Sequence, residues 1–435
     1  MVEQNVMEKI VSLAKRRGFV YQGSEIYGGL AGTYDYAPLG VALKNNLKNI
    51  WWRRFVLDRE DMYGFDAAIL MNAKVWESSG HVGGFADPVV ECSKCRARFR
   101  ADHLDNEELC PTCGGALGSV QEFNMMFETK VGASSVEDNQ AISYLRPETA
   151  QGMFVNFKNI LDTFHPKLPF GLAQIGKAFR NEIAPRDFLF RTREFEQMEI
   201  EYFVRPNDWE VAFQELRAEI LAYLSDIGLK TRSLHELEVP EGERAHYSKR
   251  TIDVEFDYPF GQKELCGLAY RTDYDLQAHQ TGSQVDLTFF DEGSKERFLP
   301  HVIEPSLGVD RLVLAVLCDA YTEDEMGGES RAYFKFSRAV APVKAAVFPL
   351  LKNKPELVAK ARAVYEELKK VVPQIMWDDN GNIGKRYRRQ DEIGTPSCIT
   401  IDFDTLSDNT VTIRDRDTGS QSRVAIDSLP ALIAG

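Results

Sequence analysis

Apolar residues recur every four positions between Pro38 and about Leu57, the spacing that brings side chains onto one face of a helix. The members of this stripe are Leu39, Leu43, Leu47, Trp51 and Phe55. Pro38 suits the first helical turn, where its missing N–H costs nothing. The pattern predicts a helix whose apolar face either packs into a core or forms the seam of a dimer, and the spacing alone leaves both open.

Two strands joined by a long loop are predicted between Phe170 and Val204, because side chains there alternate with a period of two. One face of the second strand is apolar and comprises Met198, Ile200, Tyr202 and Val204. The opposite face comprises Phe195, Gln197, Glu199 and Glu201, the first strand ends in Ala178, Arg180 and Glu182, and the loop carries Arg186, Arg191 and Arg193. Arginine suits phosphate, carboxylates suit an ammonium group, and a ring suits a base, so this hairpin is a candidate binding surface.

Helical and alternating patterns also fill the stretch that follows. Residues 207–240 have helical spacing, and residues 251–258 alternate between apolar and acidic side chains as a half-buried strand does. We predict further strands around 263–271, which carries Glu264, and over 302–306, which carries Glu304 and Ser306. An apolar helix over 312–317 follows Gly308 and puts Arg311 in its first turn, where a helix favours anions.

Beyond residues 336–342 strands and helices alternate, which predicts a separate α/β domain of about 95 residues. Its predicted strands are 344–350, 374–378, 397–402 and 410–415, and its predicted helices are 355–371, 386–393 and 428–433. Four cations surround Tyr387 in the segment 384–392, namely Lys385, Arg386, Arg388 and Arg389. Two interpretations stay open: contact with RNA phosphates and a base, or a solvated basic turn paired with nearby acids.

Composition and charge narrow the class of protein. The chain has 435 residues, 44% of them apolar, and a formal net charge of −14, so it is globular and unsuited to coating nucleic acid non-specifically. No apolar run of about 18 residues occurs, so we expect no membrane span. The N-terminus is amphipathic and contains acids, unlike a signal or transit peptide. We therefore expect a cytoplasmic protein with reduced thiols.

Two C-x-x-C pairs, Cys92 with Cys95 and Cys110 with Cys113, lie within residues 91–118. Four thiolates at this spacing can surround one zinc ion tetrahedrally, and they leave no coordination position open for catalysis. We therefore predict a structural zinc site in a ribbon-like insert, with four unligated thiols as the alternative.

A series of segments in order along the chain resembles one known family. The segments are SEIYGG (24–29), DYAPLG (35–40), SGHVGGF (79–85), FRADHL (99–104), RPETAQG (146–152), FRNE (179–182), FRTREFEQME (190–199), EPSLGVDR (304–311) and GKRYRRQDEIGTP (384–396). Together they are similar to the bacterial, homodimeric type of glycyl-tRNA synthetase, a class II aminoacyl-tRNA synthetase. The resemblance implies an α+β fold: an antiparallel-sheet catalytic domain over 1–335, with the insert at 91–118 and a helical insert at 207–250, and an α/β anticodon-binding domain over 340–435.

The resemblance also implies a reaction and its partners. Glycine would attack the α-phosphate of ATP to give glycyl-adenylate, from which the 3′ end of tRNA(Gly) would take the glycine; Mg²⁺ and structural Zn²⁺ are the implied metals. Arg180 and Arg311 would be catalytic. The implied ATP-binding residues are Arg180, Asn181, Glu182, Phe190, Arg191, Thr192, Arg193, Glu194, Phe195, Glu264, Leu265, Gly308, Val309, Asp310 and Arg311. Those implied for glycine are Arg100, Glu148, Phe195, Glu196, Gln197, Met198, Glu199, Glu304, Pro305, Ser306, Leu307 and Gly308.

Three other functions compete with this expectation. A non-catalytic accessory subunit of synthetase fold would have lost its phosphate-binding arginines, and both are present here. A class II synthetase for serine, threonine or proline would need a wider or metal-containing amino-acid pocket, against which the glutamates argue. A ligase that passes its adenylate to another acceptor is disfavoured by the basic C-terminal segment, which suits tRNA through Lys385, Arg386, Arg388 and Arg389.

Overall fold

A computed structural model of the chain describes residues 2–104, 106, 108–132 and 142–434. Its first elements are helix α1 (Val2–Arg16), strands β1 (Val20–Gln22) and β2 (Tyr34–Tyr36), helix α2 (Pro38–Trp52) and strand β3 (Met62–Gly64). A short π-helical segment, Arg53–Leu57, continues α2 without a break. The predicted helix is confirmed, and its stripe lies in the main hydrophobic core, which supports the core-packing interpretation.

The region that follows consists of short elements. They are helices α3 (Ala73–Ser78) and α4 (His81–Gly84), strands β4 (Ala86–Glu91), β5 (Arg98–Arg100), β6 (Gln121–Asn124), β7 (Phe127–Lys130) and β8 (Ile142–Leu145), and helices α5 (Ala150–Phe154) and α6 (Phe157–Phe164). Strand β4 pairs with both β5 and β6 in a small antiparallel sheet, from which the cysteine-containing loops project.

One large sheet forms the centre of the described chain. The elements that follow along the chain are β9 (Phe170–Phe179), β10 (Glu194–Val204), α7 (Trp209–Asp226), β11 (Leu234–Glu238), β12 (Arg250–Tyr258), β13 (Gly261–Thr272), α8 (Tyr274–Ser283), β14 (Phe289–Phe290), β15 (Arg297–Phe298), β16 (His301–Gly308) and α9 (Val309–Ala320). Strands β14 and β15 pair with each other in a separate two-stranded sheet, and the other strands join β3 in the large one. The strand order is β11-β12-β13-β16-β10-β9-β3. All pairs are antiparallel except β3 with β9, so the expected antiparallel sheet is confirmed with one parallel edge.

The prediction of a helix over 207–240, and with it a helical insert at 207–250, is only partly right. Helix α7 ends at Asp226, and Gly228 follows with a φ of +94°, a backbone conformation that stops a helix. Residues 234–238 instead form strand β11, which pairs with β12 at the edge of the sheet. Helix α7 also buries Phe213, Leu216 and Tyr223 in the main core, so it packs as part of the same body as the large sheet.

The C-terminal part begins with a hairpin and continues as an α/β layer structure. Its elements are β17 (Tyr321–Met326), β18 (Glu329–Phe334), β19 (Ala345–Pro349), α10 (Pro355–Val371), β20 (Ile375–Trp377), α11 (Ile383–Glu392), β21 (Ser397–Ile401), α12 (Thr405–Asp408), β22 (Thr410–Asp415), β23 (Gln421–Ala425) and α13 (Leu429–Ala434). The sheet order is β20-β19-β21-β22-β23, and a separate core packs beneath it. The predicted strands and helices are confirmed, and β23 is an addition that the sequence pattern did not reveal.

The connection between the two parts belongs to the first. Phe336, Val340 and Val343 pack into the main core, and the second core starts at Ala345.

No helix in the described part of the chain combines the length and the apolar character that a bilayer-spanning segment requires. The main sheet and α9 therefore form the platform on which the candidate site is built.

Candidate active site

Two adjoining cavities lie against one face of the main sheet. The first is lined by Arg180, Glu182, Leu189, Phe190, Arg191, Thr192, Phe195, Gln197, Glu264, Leu265, Ser306, Gly308, Asp310 and Arg311. The second is lined by Glu148, Arg180, Gln197, Glu199, Glu264, Gly267, Ala269, Glu304 and Ser306 and by residues between 239 and 253. Arg180, Gln197, Glu264 and Ser306 belong to both linings, so the cavities meet at these side chains. One is rich in arginine and the other in glutamate.

Arg180 directly follows strand β9, at the junction of the two cavities. Its Nε donates to the Pro147 carbonyl over 3.1 Å. The guanidinium lies between the rings of Phe85 and Phe195, with its carbon 5.5 and 5.3 Å from their centroids. These contacts orient the group while they leave its Nη donors available to a ligand.

Arg311 lies in the first turn of α9, as the sequence predicts, and borders the far side of the first cavity. Its Nη1 is 2.9 Å from Glu264 Oε2, and its guanidinium carbon lies 4.6 Å from the centroid of the Phe190 ring. Arg311, together with Arg180 and Arg191, holds the pKa of Glu264 below its usual value. The lining as a whole contains three arginines and three acids, and Glu264 and Glu182 engage part of the donors of Arg311 and Arg191.

The loop between β9 and β10 is held by hydrogen bonds to its own backbone and to the N-terminal segment. Arg193 donates to the carbonyls of Glu182 and Ala31, so its guanidinium is a structural brace. Arg191 faces Glu182 across 3.8 Å. Asp310 accepts from the Tyr36 hydroxyl and from the Glu196 backbone N–H, which ties α9 to strand β10.

Three of the glutamates in the wall of the second cavity, Glu148, Glu199 and Glu304, are held by hydrogen bonds. Glu199 Oε2 accepts from the Thr149 backbone N–H and hydroxyl, and its Oε1 accepts from the Ser306 hydroxyl over 2.8 Å. Glu304 Oε2 accepts from Arg271 Nη1 over 2.8 Å. Glu148 Oε1 accepts from Gln151 Nε2 over 2.9 Å. The acids are thus fixed by neighbours that orient them and do not cover them.

Burial and neighbouring charges give these acids different protonation behaviour. Burial, reinforced by Glu199 and Glu148, raises the pKa of Glu304 to about 8 although Arg271 opposes the shift. For Glu148 burial acts in the same direction, but His81 and Arg271 outweigh it and hold its pKa below the usual value. The site can therefore present both an ionised and a protonated carboxyl near neutral pH.

A buried network behind the acids escaped the sequence interpretation. Arg271, 1% exposed, donates through Nε and Nη2 to both oxygens of Asp275 as well as to Glu304. Asp275 also accepts from Gln151, whose Oε1 lies 2.7 Å from His279 Nε2. The available signals were Gln151 inside the RPETAQG segment and an arginine on an otherwise apolar strand, but neither reveals a long-range partner.

The side chains of six predicted site residues lie outside the two cavities. For most of them the reason is that successive side chains along a strand point to opposite faces of the sheet. Met198 and Leu307 face the main core, as does Val309 at the start of α9. Pro305 is two residues before Leu307 on β16, so its side chain lies on the same face of that strand. Glu194 pairs with Lys177, and Glu196 pairs with Lys44 and Lys48. The side chains of these six residues therefore do not line the cavities; only their backbone lies near them.

Three further predicted residues, Arg100, Asn181 and Arg193, also lie outside the cavity linings, each for its own reason. Arg100 is engaged by Asp87 and Asp102 at 2.8 and 2.7 Å and does not line either cavity, and its contact with glycine stays a prediction. The Asn181 backbone N–H donates to the Met125 carbonyl, and its side chain is absent from the first lining, as is the Arg193 brace. The other residues predicted for ATP line the first cavity.

The four predicted cysteines converge. Their sulfur atoms all lie within 4.8 Å of one another, with Cys92 to Cys113 and Cys95 to Cys110 each at 3.6 Å. Tetrahedral zinc at about 2.3 Å from each sulfur would separate the sulfurs by about 3.8 Å, so the cluster fits that ion. The backbone N–H of Cys95 also points at Cys92 Sγ over 3.5 Å, which favours a thiolate.

The basic segment in α11 differs most from the expectation of RNA contact. Arg386 is buried, and it donates to the carbonyls of Pro349, Asp379 and Gly381. Arg389 pairs with Asp378, and Arg388 donates to the Ser330 carbonyl. The Tyr387 ring packs on Phe348 and its hydroxyl meets Thr400. Of the four predicted cations, Lys385 is the exposed one. Arg386 and Arg389 thus direct most of their donors to partners within the domain, and their contact with tRNA stays a prediction.

Comparison with known proteins identifies the family to which this arrangement belongs. A family model described as the tRNA synthetase class II core domain (G, H, P, S and T) matches residues 127–320, and an anticodon binding domain model matches residues 344–435. The glycine–tRNA ligase of Caldanaerobacter subterraneus subsp. tengcongensis is 49% identical over 97% of this chain and 96% of its own length. Those of Clostridium acetobutylicum and Clostridium tetani are each 50% identical, over 99% and 100% of this chain and 98% and 99% of their own lengths.

This chain belongs to the glycine–tRNA ligase family. In this family member the class II core match includes Arg180 and Arg311 as well as Glu148, Glu199 and Glu304 of the cavity linings. The anticodon-domain match begins at Lys344, directly after Val343, the last residue of the connection that packs into the main core. The expected fold, a class II synthetase core with a C-terminal anticodon-binding domain, is confirmed.

Proposed function

We propose that this chain is a glycine–tRNA ligase that activates glycine with ATP and then transfers it to the 3′ end of tRNA(Gly). The observation that carries the proposal is the position of Arg180, where a cavity rich in arginine meets a cavity rich in glutamate. The first suits a triphosphate and the second an ammonium group. An arginine at their junction can bind the α-phosphate and the glycine carboxylate together.

The first cavity takes ATP. Arg180 neutralises the charge that develops on the α-phosphate, and Arg311 binds the far end of the triphosphate. Phe195, half-buried beside Arg180, offers its ring to adenine. Reaction then needs alignment more than covalent help: a glycine carboxylate oxygen attacks the α-phosphorus, the bond to the bridging oxygen breaks, and pyrophosphate leaves with that electron pair.

The second cavity takes glycine. Its substrate offers only an ammonium and a carboxylate, so the carboxylates of Glu148, Glu199 and Glu304 bind the ammonium while Arg180 binds the carboxylate. We place Ser306 beside the α-carbon, since its hydroxyl is fixed by Glu199. Every other amino acid is larger, so a wall at the α-carbon rejects it by steric clash.

The second step transfers the glycyl group to tRNA. The 3′-hydroxyl of the terminal adenosine attacks the adenylate carbonyl carbon, the acyl–phosphate bond breaks, and AMP leaves. Arg180, still beside the α-phosphate, stabilises the charge on the departing AMP. We assign tRNA(Gly) recognition to the C-terminal domain, supported by its family match, and retain Lys385 and Arg388 as candidate contacts at one end of α11.

Two metals complete the proposal. Zn²⁺ would be held by Cys92, Cys95, Cys110 and Cys113 in a structural role, supported by the separations of their sulfur atoms. Mg²⁺ would be held with the phosphates by the carboxylates of Glu264 and Glu182, hard oxygen donors that line the ATP cavity. When bound, Mg²⁺ supplies further neutralisation of phosphate charge.

The zinc assignment is tested on purified protein by metal analysis. We expect zinc near one equivalent in the wild type and a large loss in Cys92→Ser. Cys266→Ser, which changes a buried thiol outside the cluster, is the matched control and should keep its zinc. A wild type without zinc, purified without chelators, would contradict the assignment.

We further propose a homodimer in the cytoplasm. Support for the dimer comes from the exposed apolar side chains of Leu57 and Leu70, which precede and follow the edge strand β3. Support for the compartment comes from the seven cysteines, which are all free thiols. Light scattering on the purified full chain tests the dimer, and a monomer at micromolar concentration would contradict it.

The experiment that tests the function is the amino-acid profile of ATP–pyrophosphate exchange. We expect exchange with glycine and at most a trace with alanine or serine, because both add atoms at the α-carbon. Charging of tRNA(Gly) with labelled glycine should follow, and tRNA(Ala) is the matched control. Alanine serving as well as glycine would contradict the glycine assignment, and exchange without charging would contradict the assignment of tRNA as the acceptor.

A further inference from the structure

Glu201 is a buried acid that the proposed reaction does not use. It follows Glu199 by two residues on β10 and shares its face of the sheet, yet it is absent from the linings of both cavities. It is 0% exposed, and neither carboxylate oxygen has a hydrogen-bond partner within the described residues. Buried polar atoms are almost always hydrogen-bonded, so an unpartnered carboxylate requires a physical explanation.

The nearest charged neighbours of Glu201 are acids. The register that pairs Glu199 with Ser306 and Tyr202 with Ile303 sets Glu201 opposite Glu304. One oxygen from each of Glu199, Glu201 and Glu304 lies within 4.8 Å of the other two. Three ionised carboxylates this close in a buried site would repel one another strongly, so at least one of them holds a proton.

Hydrogen-bond donors decide where that proton resides. Glu199 accepts from Thr149 and Ser306, and Glu304 accepts from the Arg271 guanidinium, and such donors favour the ionised carboxylate. Glu201 receives no donor from the described residues. Burial, followed by the charge of Glu304, raises the pKa of Glu201 well above its usual value, in agreement with this assignment.

We propose that Glu201 is a positioning residue for glycine recognition: a neutral carboxyl beneath the floor of the glycine cavity that donates its proton toward Glu304. The hydrogen bond, made directly or across one ordered water, holds the Glu304 carboxylate in place for the substrate ammonium. It also limits the negative charge under the cavity. The charged groups that face Glu201 are Glu199 on its own strand, Glu304 on β16, Arg271 on β13 and Asp275 on α8.

This inference rests on the proposed function, and its first test uses glycine-dependent exchange. Glu201→Leu removes the donor and keeps the bulk, so we expect the KM for glycine to rise about tenfold while the KM for ATP stays within about twofold. Glu201→Gln keeps an N–H donor and neutral charge, and should recover most of the loss. Glu304→Gln, which changes the acid that meets the ammonium, is the reference for a direct contact.

The pH profile separates positioning from a merely structural role. Loss of a donor to the ionised form of Glu304 should move the midpoint of the glycine KM profile to higher pH in Glu201→Leu, and Glu201→Gln should restore it. A Glu201→Gln variant as impaired as Glu304→Gln would overturn the proposal, since it would mean that Glu201 acts as a carboxylate. A glycine KM unchanged in Glu201→Leu would also overturn it.

Infrared spectroscopy provides a readout that does not depend on activity or on the stability of Glu201→Leu. At about pH 9, where Glu304 with its pKa of about 8 is mostly ionised, the wild type should show a carboxylic-acid C=O band that Glu201→Gln lacks. No such difference would overturn the proposal. A wild type that shows the band but no glycine-dependent exchange would instead overturn the proposed function and leave the protonation of Glu201 established.

Discussion

Two arginine-rich segments of this chain resemble each other in sequence and have opposite surroundings in the structure. The side chain of Arg180, between strands β9 and β10, makes a single hydrogen bond among the described residues, to the Pro147 carbonyl, and lines both cavities. Arg386, in helix α11, donates to three backbone carbonyls and is 1% exposed. A guanidinium has five N–H donors, so what distinguishes a binding residue from a brace is how many of them its own chain has used.

The backbone around each arginine explains the difference. Arg180 follows the last residue of β9, where the strand has left its ladder and the side chain can extend beyond the sheet. Arg386 lies inside α11, whose position beside β19 brings chain ends and turns with unpaired carbonyls within reach. The Arg180 guanidinium therefore stays available to a ligand, whereas the Arg386 guanidinium holds together segments of its own domain.

The largest effect expected from this comparison is that of Arg180→Ala. Removing the guanidinium at the junction of the cavities should lower kcat/KM for glycine-dependent exchange by about 10³-fold or more, because it neutralises the α-phosphate in the transition state. The free energy of unfolding should change little. Arg193→Ala, in the same loop but braced on carbonyls, is the matched control and should reduce exchange much less. Near-normal exchange in Arg180→Ala would mean that this arginine does not bind the reacting phosphate.

The second-largest effect is expected on stability and not on catalysis. Arg386→Ala leaves three carbonyls without their donor, so we expect the free energy of unfolding of the C-terminal domain to fall by about 3 kcal/mol. Exchange in the folded protein should stay near wild type, because the ATP and glycine cavities lie elsewhere. Urea denaturation followed by circular dichroism measures the loss. Lys385→Ala, an exposed neighbour on the same helix, should leave stability unchanged.

Whether a feature of the fold or of the candidate site could be predicted from the sequence depends on how far apart along the chain the interacting residues lie. The alternation along β10 and β16 placed Glu199, Glu304 and Ser306 on one face correctly, since a strand's period is a local property. The same alternation excludes Met198 and Leu307, which the family resemblance had included as a continuous run. Helix α7 was predicted too long because the spacing of apolar residues does not reveal that Gly228 stops it.

The parts that were not predictable depend on distant partners. The Arg271 network joins β13, α5, α8 and β16, and no periodic signal connects these segments in the sequence. Likewise, the role of Arg386 follows from the carbonyls of Pro349 and Asp379, which no local pattern assigns to it. The C-x-x-C pairs were recognisable because their ligand spacing is itself local.

The third effect concerns the pH dependence of glycine binding in the second cavity, which contains glutamates where the comparison above concerned arginines. Burial raises the pKa of Glu304 to about 8, so before glycine binds Glu304 as well as Glu201 is mostly protonated at neutral pH, and Glu304, which accepts from Arg271, loses its proton first as pH rises. The ammonium requires the carboxylate, and binding must therefore release a proton. The KM for glycine should fall about tenfold per pH unit as pH rises toward 8, and level off above it. Glu304→Gln should flatten this dependence, and the KM for ATP serves as the internal control. A glycine KM independent of pH between 6 and 8 would contradict it.

The smallest effect separates surface charge from buried charge within α11. Lys385 is exposed, whereas Arg388, the other candidate contact on this helix, is half-buried and donates to the Ser330 carbonyl, so Lys385 keeps more of its donors for a phosphate. We expect Lys385→Ala to raise the KM for tRNA(Gly) about two- to fivefold at low salt and less at high salt, because the contact is a screened surface charge. Pyrophosphate exchange, which needs no tRNA, should be unchanged. Lys360→Ala, which changes a half-buried lysine on α10 that donates to Asn409, is the control variant. If both variants weaken charging equally, the effect would come from overall charge. If Lys385→Ala has no effect at any salt concentration, the tRNA would bind another face of the domain, and the basic character of α11 would be entirely structural.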